Sequence, residues 1–134
     1  MSWQAYVDQS LVGTGNIDKA IICGATDKAT WAASPGFSLP AEEIQIIVDS
    51  FTDTSSDPNY VKKVIREGVK VNGEKYMTIE STDEALKAKK GKEGLIVIKT
   101  KQALLIAHHP ADIQTPPAFS SVSELANYLI GVGY

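Results

Sequence analysis

Two runs in the second half of the chain, Leu95-Ile96-Val97-Ile98 and Ala103-Leu104-Leu105-Ile106-Ala107, are apolar at every position. A strand with one wet face alternates apolar and polar side chains; these do not, so both are expected to be strands covered on both faces. Lys99-Thr100-Lys101-Gln102 joins them. A connection that short makes antiparallel neighbours, because a parallel crossover needs a dozen residues or more. Upstream, Val69 to Val71 and Lys75 to Glu80 flank Asn72-Gly73, the turn pair that best tolerates the positive φ of a tight hairpin. Glu84 to Lys89 supplies one more strand. With such short connections the segments predict an antiparallel meander.

Strands covered on both faces need helices above and below. Trp3 to Val12 suits a short helix stopped by Gly13-Thr14-Gly15, with Trp3, Tyr6, Val7 and Ser10 grouped on one side by their spacing. Ile17 to Cys23 and Ala29 to Ala33, joined through Ala25 to Lys28, read as an N-terminal hairpin. Ser38 is placed to cap a helix whose first turn holds Pro40, Glu42 and Glu43 and whose buried stripe is Ile44, Ile47, Val48 and Phe51. A last helix, from about Pro117 to Ile130, has Val122, Leu125, Ala126 and Leu129 as its stripe. Between Thr52 and Glu67 the chain is polar and turn-rich, then YVKKVIRE suits one or two helical turns. The fold class that follows is α+β, an antiparallel β-sheet sandwiched between helices, with residues 1–134 as one domain.

Composition narrows the function classes. Residues 1–57 carry two Lys against eight acids, whereas 58–101 carry eleven Lys or Arg against six, within a net charge of −3. That basic stretch is able to steer an acidic partner or an anionic lipid surface, but it is too mild for a nucleic-acid binder. No apolar run approaches the ~18 residues of a membrane span, and the polar stretch after Met1 gives no expectation of a leader. Cys23, the single cysteine, lies in an apolar run where burial suppresses thiolate formation, so a core role and a reduced cytosolic setting are expected. His108 and His109 are adjacent, which on a strand sends them to opposite faces and does not make one metal site; loop or rim positions before Pro110 are expected. Gly13-Thr14-Gly15-Asn16 lacks the later glycine and lysine of a phosphate loop. No cofactor, metal or catalytic residue is implied.

Five large aromatic residues crowd the chain ends: Trp3, Tyr6, Trp31, Tyr128 and Tyr134. The ordinary reading of aromatics at helical spacing is burial in a core. Against it, Trp3 opens the first helix, and Tyr128 lies roughly 110° from the centre of the last helix's apolar stripe at 100° per residue. Rings with donor tips suit a polyproline II ligand, whose carbonyls are free acceptors and whose conformation is set before binding.

The opening MSWQAYVD with Gly13-Thr14-Gly15, the Trp31-Ala32 strand, Thr100-Lys101-Gln102 leading into LLIAH, and the closing LANYLIGVGY together resemble the profilin family over nearly the whole chain. The likeness is weakest from Thr52 to Glu67, where this chain holds several residues more than short fungal members. The resemblance implies a monomeric actin-monomer-binding regulator of filament assembly in the cytoplasm, cytoskeleton and cell cortex, with the N- and C-terminal helices side by side on one sheet face. It implies a groove for proline-rich segments of assembly factors at Trp3, Tyr6, Trp31, Tyr128, Leu129 and Tyr134. It also implies an actin face over about 69–99 and 114–124, drawing on Lys75, Thr78, Glu80, Lys87, Lys89, Gln114, Phe119, Ser120 and Glu124.

Several family arginines are replaced here by Glu80 and Glu84, and a family lysine by Ser120, changes that weaken or redirect actin docking. An alternative therefore stands beside the regulator: a proline-motif or lipid adaptor of the same fold with weak or lost actin binding. Lys87, Lys89, Lys90 and Lys92 also have two readings. They are a candidate phosphoinositide-membrane contact, or lysines that keep an exposed strand from edge pairing. YVKKVIRE is expected to pack beside the actin face and adjust the docking angle.

Overall fold

The computed structural model describes residues 2–134. The first helix is α-helical over Trp3–Ala5 (α1) and continues as a π-helical segment Tyr6–Leu11 and a 3-10 turn Val12–Thr14. Then come β1 Lys19–Gly24, β2 Thr30–Ala33, α2 Ala41–Ser50, α3 Lys63–Glu67, β3 Val69–Val71, β4 Glu74–Ser81, β5 Ala85–Lys90, β6 Glu93–Lys99, β7 Ala103–His109 and α4 Thr115–Gly131. One seven-stranded sheet runs in the order β2-β1-β7-β6-β5-β4-β3, antiparallel at every pairing. The expected meander is β3 to β7, and the N-terminal hairpin adds to its end through β1. Asn72 (φ 55°) and Gly73 (φ 80°) make the tight β3–β4 turn, as their residue types predict.

The two apolar runs are β6 and β7, and period-two alternation splits them between two cores. Leu95, Val97, Leu104 and Ile106 face α2 and α3, packing with Ile44, Ile47, Phe51, Val64 and Tyr76. Ile96, Ile98, Leu105 and Ala107 face the two terminal helices, packing with Val7, Leu11, Val122, Leu125, Ala126 and Leu129. The helical stripes read from sequence are the buried ones except at Val48, which is half-buried at the margin of its core, and Leu11 joins Val7 in the first helix. Among the described residues no helix is long and apolar enough to cross a membrane.

Two local expectations are corrected, those for Ser38 and for the two histidines. Ser38 is exposed and caps nothing: α2 starts after Pro40, whose carbonyl accepts from Glu43 N (3.0 Å) and Ile44 N (3.3 Å). Glu43 lies in the first turn as expected; it is also buried and accepts from Asn72 N (2.6 Å) and Gly73 N (3.1 Å), closing the hairpin turn. His108 and His109 are not rim residues; they are 1% and 0% exposed within β7, on opposite faces as alternation requires. The segment YVKKVIRE contributes α3, which buries Val64 in the α2 core, so it lies behind β4 on the sheet face opposite the terminal helices. Asp53 holds this stretch together, accepting from the Tyr60 hydroxyl and from Lys63 N.

His109 shows how one residue seats α4. It pairs directly with Gly94 across β6–β7, and its ring occupies the space that a Cβ on Gly94 would need. Nδ1 sits 3.0 Å from the Pro110 carbonyl, which only accepts, so Nδ1 carries the proton and Nε2 accepts from the Thr115 hydroxyl at 3.0 Å. Thr115 is the first residue of α4.

Candidate functional site

The five aromatic side chains, 131 residues apart at their extremes by number (Trp3 to Tyr134), converge on one surface. Ser2 starts the first helix by accepting from Ala5 N at 3.2 Å, an N-cap that fixes Trp3 on the first turn. Gln4 Nε2 donates to Ala33 O (3.0 Å), tying that turn to the end of β2, the strand that bears Trp31. Residues 131–134 fold back with Gly133 at φ 98°. Tyr134 N donates to Leu129 O (2.8 Å), and Tyr134 O accepts from the Thr100 hydroxyl (2.7 Å) and Gln102 N (2.5 Å). The Thr100-Lys101-Gln102 turn is therefore the clamp that positions Tyr134.

The rings form a ladder. Trp3 lies 4.7 Å from Trp31, 5.0 Å from Tyr134 and 5.5 Å from Tyr6, and Tyr6 lies 6.1 Å from Tyr128, all tilted or edge-on. An edge-on contact covers a face of only one of its two rings, so the ladder is not closed off as a face-to-face stack would be. Tyr128 is 55% exposed, off the α4 stripe as its angle predicted, while Trp3, Tyr6 and Trp31 are half-buried. Leu129 is placed differently from the other five groove candidates. At 1% exposure it belongs to the core beneath the rings, where its side chain supports the ladder and its carbonyl anchors Tyr134. Burial among the rings, then the Tyr128 hydroxyl, pushes the Tyr6 phenol above its ordinary pKa, so Tyr6 keeps its O–H donor at neutral pH.

The second surface is the part of β4 and β5 that α4 leaves open. Lys87 Nζ stands 4.2 Å over the Phe119 ring and 3.9 Å from Glu80, its register partner across β4–β5. Lys89 pairs with Met77 and, with Lys92, borders a crevice that includes Gln114. An irregularity between Thr78 and Glu80 bulges β4 and presents Ile79 at 64% exposure beside Met77 at 62%. These two apolar residues were not singled out from sequence; the signal was Tyr76-Met77-Thr78-Ile79, where apolar residues fall on both faces of a strand that helices cover on only one.

The nine sheet-face candidates do not all share this surface. Lys87, Glu80 and Phe119 touch, with Lys89 and Gln114 beside them. Thr78 pairs with Ala88 and points to the opposite core, its hydroxyl buried without a hydrogen-bond partner. Lys75 is exposed near the outer end of β4, opposite Lys70, and Ser120 is exposed on the outer side of α4. Glu124 is on the other flank of α4, in a cleft with Tyr6 and Tyr128. The lysine run is likewise divided. Lys87 and Lys89 face the α4 side, whereas Lys90 points the other way to Glu74 at 3.2 Å. Nor is β5 an edge: β4 and β6 flank it, so edge protection does not account for these lysines.

Cys23 and His108 lie away from both surfaces. Burial, with Asp27 adding to it, pushes the Cys23 thiol up to about 12. His108 Nδ1 meets Asp18 Oδ1 at 2.6 Å.

The profilin family model matches residues 1–134. The chain is 41% identical over 134 residues to profilin of Schizosaccharomyces pombe and 43% identical to profilin-A of Physarum polycephalum, covering all of both partners in each case. A crystal structure of the S. pombe protein superposes with a TM-score of 0.89, covering 99% of this chain and 100% of that one. Mouse profilin IIa, in complex with a double repeat from the FH1 domain of mDia1, shares the fold (TM-score 0.77, all of both chains) at 21% identity.

Proposed function

The chain belongs to the profilin family of non-enzymatic actin-binding proteins, and from that premise we propose that it is a delivery adaptor with two separate docking surfaces. The aromatic ladder takes proline-rich segments of actin assembly factors, and the open β4–β5 face with Phe119 takes monomeric actin. Binding energy replaces chemistry here. The observation that carries the reading is the ladder itself: five rings held by helix capping, a sheet tie and a C-terminal clamp, each at least partly exposed and each carrying an O–H or N–H tip. Its ring-to-ring steps of 4.7, 5.5 and 6.1 Å are each at most about two residues of a polyproline II helix rising ~3.1 Å per residue. Mouse profilin IIa offers the analogous partner, an FH1 repeat.

For actin, Met77, Ile79 and Phe119 supply apolar area and Lys87 and Lys89 supply charge. Cytoplasmic placement at the cytoskeleton and cell cortex follows from these partners. For phosphoinositide membranes the lysines on hand are Lys87, Lys89 and Lys92, since Lys90 faces away to Glu74. The adaptor with weak or lost actin affinity remains a second reading because Glu80 stands beside Lys87 and reduces the charge that a partner meets.

Sedimentation equilibrium of the protein with monomeric actin, and in parallel with decaproline, decides between them. Binding to both supports the two-surface adaptor. Decaproline binding without actin binding at micromolar concentration selects the second reading, and failure to bind decaproline removes the groove.

A further inference from the structure

The groove does not stop at Tyr6 and Tyr128. Beyond them the cleft between the first helix and α4 widens to about 480 Å³, lined by Tyr6, Ser10, Ser121, Glu124, Leu125 and Tyr128. Leu125 is the apolar floor, 5% exposed. The Ser121 hydroxyl is committed, donating to Pro117 O (3.3 Å) and accepting from Asn16 Nδ2 (3.1 Å). Glu124 is different: it is exposed on the wall and, among the described residues, its carboxylate has no hydrogen-bond or ion-pair partner.

The charges around it are one-sided. Residues 1–18 contain Asp8 and Asp18 but no Lys or Arg, and residues 110–134 contain Asp112 and Glu124 but no Lys or Arg. Asp8 accepts from Gln4 Nε2 (3.1 Å) and Asp18 faces His108. Glu124 is therefore the uncommitted anion of this cleft, next to two tyrosine rings that already belong to the ladder.

We infer that the cleft is a specificity subsite for a cationic side chain flanking the proline run, and that Glu124 is its selecting residue; the inference rests on the proline-groove reading above. A polyproline helix is uncharged and presents similar rings and carbonyls along its length, so the ladder alone reads neither its ends nor its neighbours. A flanking arginine supplies what the cleft complements. Its planar guanidinium lies on a tyrosine face while its fork meets the carboxylate. A flanking acid meets Glu124 as a like charge and is disfavoured.

The test titrates the full chain, by tryptophan fluorescence, with decaproline and with decaproline extended by one Arg or one Glu at either end. At one end, Arg should bind roughly three- to fivefold tighter than Glu, the range of an exposed ion pair, and added salt should shrink that ratio. Glu124→Gln should bring the ratio close to one. Equal affinity for Arg and Glu peptides at both ends, with decaproline still binding, overturns the subsite and leaves the groove standing. A ratio that survives Glu124→Gln overturns the assignment to Glu124. Failure of decaproline itself overturns the groove and the subsite together.

Discussion

The aromatic ladder and the open sheet face lie on two flanks of the same helix, α4, and are built in opposite ways. The ladder gathers residues from the two ends of the chain and from β2, and holds them by contacts distant in sequence, such as Gln4 to Ala33, Thr100 to Tyr134 and Asn16 to Ser121. The sheet face is set by register between consecutive strands, with Glu80 opposite Lys87 and Met77 opposite Lys89. The helices beside the ladder carry only acidic charge, whereas residues 58–101 carry eleven basic residues against six acids. Recognition by stacked rings depends on assembling a shape. Recognition by charge depends on which lysines a neighbouring carboxylate has already neutralised.

Separating the two surfaces should give the largest effects. Trp3 contacts Trp31, Tyr6 and Tyr134 at the centre of the ladder, so Trp3→Ala should weaken decaproline binding by about 2–4 kcal/mol, as for a central aromatic anchor. Actin affinity should stay within experimental error. Lys87→Glu is the converse. It removes the charge over Phe119 and sets two acids opposite each other, so actin binding should fall by about 1–2 kcal/mol while decaproline affinity holds. Fluorescence titration of both ligands against both variants measures this; loss of both affinities in either variant would show that the surfaces are not independent.

Gly94→Ala should instead strike both surfaces at once. The added methyl meets the ring of His109, which is pinned between Pro110 O and the Thr115 hydroxyl and cannot turn away without releasing the start of α4. Since α4 carries both Phe119 and Tyr128, a shift at its first turn reaches both. Overpacking of this kind costs about 1–3 kcal/mol, measurable by urea denaturation. Unchanged stability would mean that His109 has room that its hydrogen bonds do not suggest.

How much of this was readable in the sequence depends on how far each determinant acts. Strands β3 to β7 were legible because uninterrupted apolar runs and Asn72-Gly73 are local signals. Tyr128 was legible as exposed because helical angles are local as well. Glu43 was read as favourable to its own helix; its actual partners, Asn72 and Gly73, are 29 and 30 positions away, and nothing local reports them. The burial of His108 and His109 needed Asp18 and Gly94 to be beside β7. The division of the lysines was present in the alternation of Lys87, Lys89 and Lys90, but their proximity in the chain reads as one patch until Glu74 is found behind the sheet. Thr78 shares the inward face of Tyr76, and Ile79 the outward face of Met77, by plain alternation, but which face of β4 stays uncovered depends on where α4 packs, which is not a local signal.

The smallest effect tests whether the ladder needs its clamp. Thr100 is 6% exposed; its hydroxyl donates to Tyr134 O at 2.7 Å and accepts from Ala103 N at 3.0 Å. Thr100→Val keeps the shape and removes both bonds, which should cost about 1–3 kcal/mol of stability because Ala103 N loses a buried acceptor. Tyr134 would still be held by Gln102 N and by its own amide on Leu129 O, so it loosens without leaving. Decaproline affinity should therefore fall only about threefold, about 0.7 kcal/mol by the usual conversion, far less than for Trp3→Ala, and actin affinity should not follow. A loss as large as that of Trp3→Ala would make Tyr134, and not Trp3, the residue around which the ladder is organised. No loss at all would mean that Trp3 keeps Tyr134 in place by ring contact alone.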